Sequence, residues 1–120
     1  MNIELLQQYC LSKKGTTEDT PFGPETLVFR VMGKIFALTS LDTEECRVNL
    51  KCLPDYAIEL RERHPDHIIP GYHMNKTHWN TVYTERGLEE SLIRSLVDMS
   101  YNLIVRSLKK SEREALNQMG

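Results

Sequence analysis

The chain has 120 residues, 40% of them hydrophobic, and carries 17 aspartates and glutamates against 15 lysines and arginines. That length suits one domain whose core needs neither metal nor disulfide support. A formal net charge of −2 excludes a polycation, so any anionic partner must be drawn by a local patch. Cys10, Cys46 and Cys52 stand far apart with no C-x-x-C spacing, which argues against a secreted disulfide framework and for reduced, buried thiols. No apolar run approaches the roughly 18 residues of a membrane span, and the start at Met1 has no signal-peptide pattern, so a cytoplasmic protein is expected.

Asn2 is placed to cap a helix in which Ile3, Leu6, Tyr9 and Cys10 fall on one side. Lys13 and Lys14 suit the C-terminal end of its dipole, and Gly15 its stop. Between Thr16 and Pro24 two prolines and a glycine predict an ordered loop pinned by Phe22. The runs Thr26 to Met32 and Lys34 to Ser40 flank Gly33 and predict a tight hairpin. Strict alternation sets Leu27, Phe29 and Val31 opposite Val28, Arg30 and Met32 in the first strand. In the second it sets Phe36 and Leu38 opposite Ile35, Ala37 and Thr39, and the face carrying Phe29 and Phe36 is the core candidate. After an acidic turn at Leu41 to Glu45, the residues Cys46, Val48, Leu50 and Cys52 alternate with Arg47, Asn49 and Lys51, the cleanest half-buried strand of the chain.

Pro54 fits the first position of a short helix with an apolar stripe of Tyr56, Ala57 and Leu60 and an outer Glu59/Arg63 pair; the proline of His64-Pro65 ends it. The stretch from Ile69 to Tyr83 holds the only tryptophan and two of the four histidines. Its Pro70-Gly71 suits a type II turn in which the glycine takes the positive φ. From His78 to Tyr83 a strand is expected with Trp79, Thr81 and Tyr83 on one face and His78, Asn80 and Val82 on the other, Trp79 being the largest core side chain. A long helix from Leu88 carries an apolar arc of Leu92, Ile93, Leu96, Val97, Met99, Leu103, Ile104 and Leu108, with Ser100 and Ser107 permitting close approach to a sheet. Residues 109–120 are polar and expected to fray, leaving 1–108 as one domain. The order of elements predicts an α+β fold, an antiparallel sheet with the N- and C-terminal helices packed on one face and the other face open to water.

The ordered set Pro21-Phe22-Gly23, Phe29-Arg30-Val31-Met32-Gly33-Lys34-Ile35-Phe36-Ala37, Leu50-Lys51-Cys52, Pro70-Gly71-Tyr72-His73-Met74-Asn75-Lys76 and His78-Trp79, followed by a long helix with Ser100-Tyr101, resembles the MmcQ/YjbR family of small bacterial proteins. The resemblance covers Met1 to Leu108. It implies a two-layer sandwich like that of CyaY, the bacterial frataxin, and the double-wing DNA-binding arrangement proposed for that family. It brings no catalytic signature, so function has to be argued from the site.

DNA binding calls for cations on one accessible surface, because phosphate neutralisation supplies most non-specific affinity. With Phe29, Phe36, Val48 and Leu50 beneath the helices, Arg30, Arg47, Lys51 and His78 are expected on the opposite face, with Lys34 at a wing-like hairpin tip and Lys76 extending the surface. These residues form the candidate nucleic-acid set, with low sequence specificity because no base readout is visible. The plainer reading makes them soluble decoration of a solvated sheet face. The alternative function is a groove around Tyr72, His73, Asn75, Lys76, His78 and Trp79 that takes a protein partner or a small anionic ligand, aromatic rings beside cations suiting either. No metal site is expected, since His64, His67, His73 and His78 include no i,i+4 pair and no neighbouring thiolate. Nor is a nucleophile, since alternation buries Cys46 and Cys52. The expectation is a monomeric, non-catalytic, DNA-binding protein without a cofactor.

Overall fold

The computed structural model describes residues 1–119, and its first helix, α1 (Ile3–Leu11), starts where Asn2 Oδ1 accepts a hydrogen bond from the Leu5 amide at 2.9 Å. There follow β1 (Thr16–Asp19), β2 (Thr26–Val31), β3 (Lys34–Ser40), β4 (Arg47–Lys51), α2 (Pro54–Arg63), β5 (Ile68–Pro70), β6 (Trp79–Tyr83), α3 (Glu90–Ser107) and α4 (Lys110–Asn117). The strands form one antiparallel sheet in the order β1-β2-β3-β4-β6-β5. Helix α3 packs on β3 and β4, α1 on β1 and α2 on β5, so the expected α+β architecture with one helix-covered face is the one found. Among the described residues no helix is long and apolar enough to cross a membrane.

Cross-strand partners fix which residues face the helices. Val48 stands opposite Thr39 and Val82, and Leu50 opposite Ala37 and Asn80. All six are buried. The Phe36 ring meets Phe29 at 6.5 Å and Tyr101 edge-on at 5.3 Å. Cys46, Val48, Leu50 and Cys52 are all buried as the alternation predicted.

The phase of β3 departs from simple alternation. Phe29 pairs with Ala37 while Arg30 pairs with Ile35, so Phe36 is an extra residue in a β-bulge. The bulge keeps both Phe36 and Ala37 on the helix side and turns Leu38 to the open face, reversing the expected sides of Ala37, Leu38 and Thr39. Ser100 of α3 closes the polar account there: its fully buried hydroxyl donates to the Phe36 carbonyl at 2.6 Å and accepts from the Lys51 amide at 2.8 Å.

Four further expectations are corrected. Thr16 to Asp19 is not loop but the edge strand β1, because the first proline arrives only at Pro21 and the β-branched pair Thr16-Thr17 can ladder with β2. Phe22 does not pin that loop inward; it is 66% exposed. Trp79 is half-buried on the open face rather than in the core, because pairing with β4 commits Val82 and Asn80 to the helix side. Asn80 tolerates that burial by donating to the Ala57 carbonyl and accepting from Arg61. The polar tail is no frayed end: α4 folds back so that Leu116, 3% exposed, covers Gly15, while Lys14 Nζ donates to the Asn117 carbonyl at 3.1 Å.

Candidate ligand-binding face of the sheet

Alternation from the observed registers puts Arg30, Ile35, Leu38, Arg47, Asn49, Lys51, Trp79, Thr81 and Tyr83 on the face without helices. Across β4 and β6 the pairs are Arg47 with Tyr83, Asn49 with Thr81 and Lys51 with Trp79. Along its strands this face carries the cations Arg30, Arg47 and Lys51 against a single carboxylate, Asp19 of β1. A chain of net charge −2 therefore presents one locally positive surface.

The loop from Gly71 to His78 folds over this face and is held by polar contacts. Thr81 Oγ1 accepts from the Tyr72 amide at 2.9 Å and donates to Asn49 Oδ1 at 2.5 Å, while Asn49 Nδ2 donates to the Tyr72 carbonyl at 3.1 Å. Asn75 is structural, its Oδ1 accepting from the Thr77 and His78 amides. Arg61 reaches up from α2 to the Lys76 carbonyl at 2.6 Å. The turn is not the one expected of Pro70-Gly71. Gly71 lies outside the left-handed region, which His73 occupies instead at φ 59°. Glycine is needed for close approach: a Cβ there would sit 2.9 Å from both the Cβ and the carbonyl oxygen of Trp79.

Between this loop and Phe22 lies a groove of about 390 Å³ over β3 and β4. Ile35, Leu38, Met74, Phe22 and Tyr72 supply its apolar surface, and Thr26, Ser40, Asn49, His73 and Arg47 its polar groups. Tyr72 is 51% exposed, and the Arg47 guanidinium lies 5.0 Å from its ring centroid. Sequence reasoning missed Phe22, Ile35, Leu38 and Met74 as site residues. Leu38 depends on the bulge, and Phe22 and Met74 come from loops whose meeting no periodicity reports.

The structure separates the predicted cations. Arg47 and Lys51 stand at the two ends of β4 with Asn49 between them on the open face, and among the described residues neither side chain is in an ion pair. Arg30 shares the face but donates to Asp19 at 3.0 Å and to the Gly33 carbonyl at 3.1 Å. Lys34 does not reach out from a wing. Its ammonium donates to the Ser107 carbonyl at the end of α3, where a cation suits the helix dipole. Lys76 is exposed, its ammonium 3.4 Å from the Gly71 carbonyl. His78 is exposed in the turn before β6, off the open face, and its carbonyl accepts from the Cys52 amide. At the far margin Arg86 covers the Tyr83 ring at 3.7 Å and binds Glu45, whose carboxyl this hydrogen bond holds below its usual range.

The thiols lie beneath the sheet. Burial pushes Cys10 up to about 12 and Cys52 up to about 11, and it raises Cys46 as well, so all three stay protonated at neutral pH. His64 and His67 meet edge-on at 6.3 Å, and a ring nitrogen of His67 is engaged with the Arg86 carbonyl. No group of three or more metal-ligating side chains comes together among the described residues.

Comparison with known proteins places this face in context. The YjbR family model matches residues 11–103. The YjbR protein of Escherichia coli strain K12 is 35% identical over 119 residues, covering 99% of this chain and 100% of its own length. YbdF of Escherichia coli O157:H7 is 43% identical over 94 residues, covering 78% of this chain and 76% of its own. Among solved structures, the Deinococcus radiodurans protein DR2400, with a DUF419 domain, superposes with a TM-score of 0.90 at 36% identity over 97% of this chain and 88% of its own. A Pseudomonas syringae protein superposes with a TM-score of 0.75 at 32% identity, over 86% of this chain and 98% of its own.

Proposed function

The chain belongs to the YjbR family, and from that membership and the charge of the open sheet face we propose that it is a non-catalytic, DNA-binding protein that lays a strand across β4 and β6. The observation that carries this is the placement of Arg47 and Lys51, two cations without carboxylate partners among the described residues, beside the aromatic rings of Tyr72 and Trp79. Cations on phosphates and rings against bases are the two elements of single-strand binding. A shallow sheet face with no projecting helix offers positioning contacts to the backbone rather than base-edge readout. In this reading Arg47 and Lys51 contact phosphates and Lys76 adds a third contact from the loop. Arg30 contributes little while Asp19 neutralises it. The protein acts as a cytoplasmic monomer and needs no cofactor.

Fluorescence anisotropy with a labelled single-stranded oligonucleotide and its duplex, at two salt concentrations, tests the proposal. Three phosphate contacts on a single strand predict a slope of log K against log salt of about −2, a loss of about 20-fold in affinity between 50 and 200 mM salt. Arg47→Glu with Lys51→Glu abolishes binding. Absence of binding at low salt, or binding indifferent to the double reversal, refutes it.

A further inference from the structure

Beside Arg47 and Tyr72, which the nucleic-acid reading already uses, the groove over β3 and β4 has an apolar lining that nucleic-acid binding along the strands does not use. Its floor is Ile35 and Leu38, its walls are Phe22 on one side and Tyr72 and Met74 on the other, and no carboxylate lines it. Arg47 is the one lining side chain that is always charged, and among the described residues its guanidinium donates no hydrogen bond and enters no ion pair. Thr26 and Ser40, which pair across β2 and β3, place two hydroxyls at the same groove. A volume of about 390 Å³ lies within the range of small-ligand sites, which are largely apolar with a few convergent polar groups.

The wall is also preorganised. Thr81 and Asn49 hold both the amide and the carbonyl of Tyr72, so the backbone that carries the ring is fixed before any ligand arrives, which reduces the ordering cost of binding. Two exposed rings, 66% for Phe22 and 51% for Tyr72, facing one apolar floor are suited to a flat guest. An unpaired guanidinium at the rim is suited to a carboxylate or phosphate.

We propose that this groove is a binding site for a small planar aromatic anion, with the ring system over Ile35 and Leu38 between Phe22 and Tyr72 and the anionic group on Arg47. Binding is non-covalent. A free aromatic carboxylate and a mononucleotide share this chemistry, and the test separates them.

The protein, labelled with ¹⁵N, is titrated with indole-3-carboxylate, adenosine 5′-monophosphate and the neutral indole-3-carboxamide while amide shifts are followed. At least one of the two anions gives saturable shifts centred on Ile35, Leu38, Asn49, Tyr72 and Met74, and whichever binds identifies the source of the anionic group. If the carboxylate binds, the carboxamide binds at least about tenfold more weakly, the loss expected when a charge-assisted contact disappears. Arg47→Gln weakens the bound anion by a similar factor. Phe22→Ala, at a position too exposed to endanger the fold, weakens both anion and carboxamide together. Lys51→Glu, outside the groove, lowers oligonucleotide affinity and leaves the small anion unaffected. No saturable shift from either anion at about 5 mM, a concentration corresponding to negligible affinity, overturns the proposal. So does equal binding of carboxylate and carboxamide, or saturable shifts confined to another surface. Small-anion binding without oligonucleotide binding removes only the nucleic-acid reading, and the converse removes only this one.

Discussion

Replacing Thr81 by valine removes one oxygen from a fully buried side chain and leaves its shape nearly unchanged. That oxygen accepts from the Tyr72 amide and donates to Asn49 Oδ1, so Thr81→Val strands two polar groups at once. A buried group left without its partner costs about 1–3 kcal/mol. Both contacts are only partly buried, so water relieves part of the loss at each group. The expected destabilisation is therefore about 1–3 kcal/mol rather than twice that. For a chain of 120 residues it corresponds to a fall in Tm of about 4–12 °C. Calorimetry measures the fall, and hydrogen exchange locates it, with faster exchange in residues 71–78 and little change in α3. A double-mutant cycle with Asn49→Ala sharpens the test, since members of one network are strongly non-additive and the second substitution adds little to the first. A Tm within about 1 °C of the parent, a shift too small for one lost buried hydrogen bond, refutes the claim that this network holds the loop. So does full additivity in the cycle.

Ser100→Ala unpairs the Phe36 carbonyl and the Lys51 amide beneath α3 and is expected to cost about 2–4 kcal/mol by denaturant titration; a cost below about 0.5 kcal/mol would show that the bulge needs no helix hydroxyl. Gly71→Ala drives a methyl to within 3.1 Å of Met74 Cβ and closer still to Trp79. It should destabilise by about 1–3 kcal/mol and shift the Trp79 emission spectrum, whereas a neutral effect would contradict the close-approach account. The raised thiol pKa values set a direction with pH. The unfolded thiols ionise near 9.0 while Cys10 and Cys52 in the fold do so near about 12 and about 11, so the unfolded chain releases protons first. Stability is then fully present below pH 9 and declines as pH rises from 9.0 through the folded values of about 11 for Cys52 and about 12 for Cys10. Cys10→Ala should flatten that decline in thermal melts, and an unchanged alkaline slope would count against it.

Much of the architecture was legible in the residues. The Asn2 cap, the Gly33 hairpin, the period-two run from Cys46 to Cys52, the proline that opens α2 and the proline that ends it are local signals, and each element stands within a residue or two of its expected place. The face of a strand is a different matter. Trp79, Thr81 and Tyr83 looked the better core face by bulk, yet pairing of β6 with β4 buries Val82 and Asn80 instead. The helical period of α4 was equally invisible as a docking signal, because its one buried anchor, Leu116, sits among polar residues and its partner is the bare backbone of Gly15 a hundred positions away.

What the amino-acid order determined alone was most of the elements, with β1, β5 and α4 the exceptions, the identity of most buried positions and the kinship with YjbR proteins, because capping, turns and hydrophobic period act over a few neighbouring residues. What only the tertiary structure decided was the phase of each strand and the company each cation keeps. The bulge at Phe36 turned Leu38 outward, the α3 terminus captured Lys34, and Asp19 captured Arg30, leaving Arg47 and Lys51 beside a groove. Such outcomes depend on contacts between residues distant in the chain, whose meeting is fixed only when the whole sheet closes against its helices.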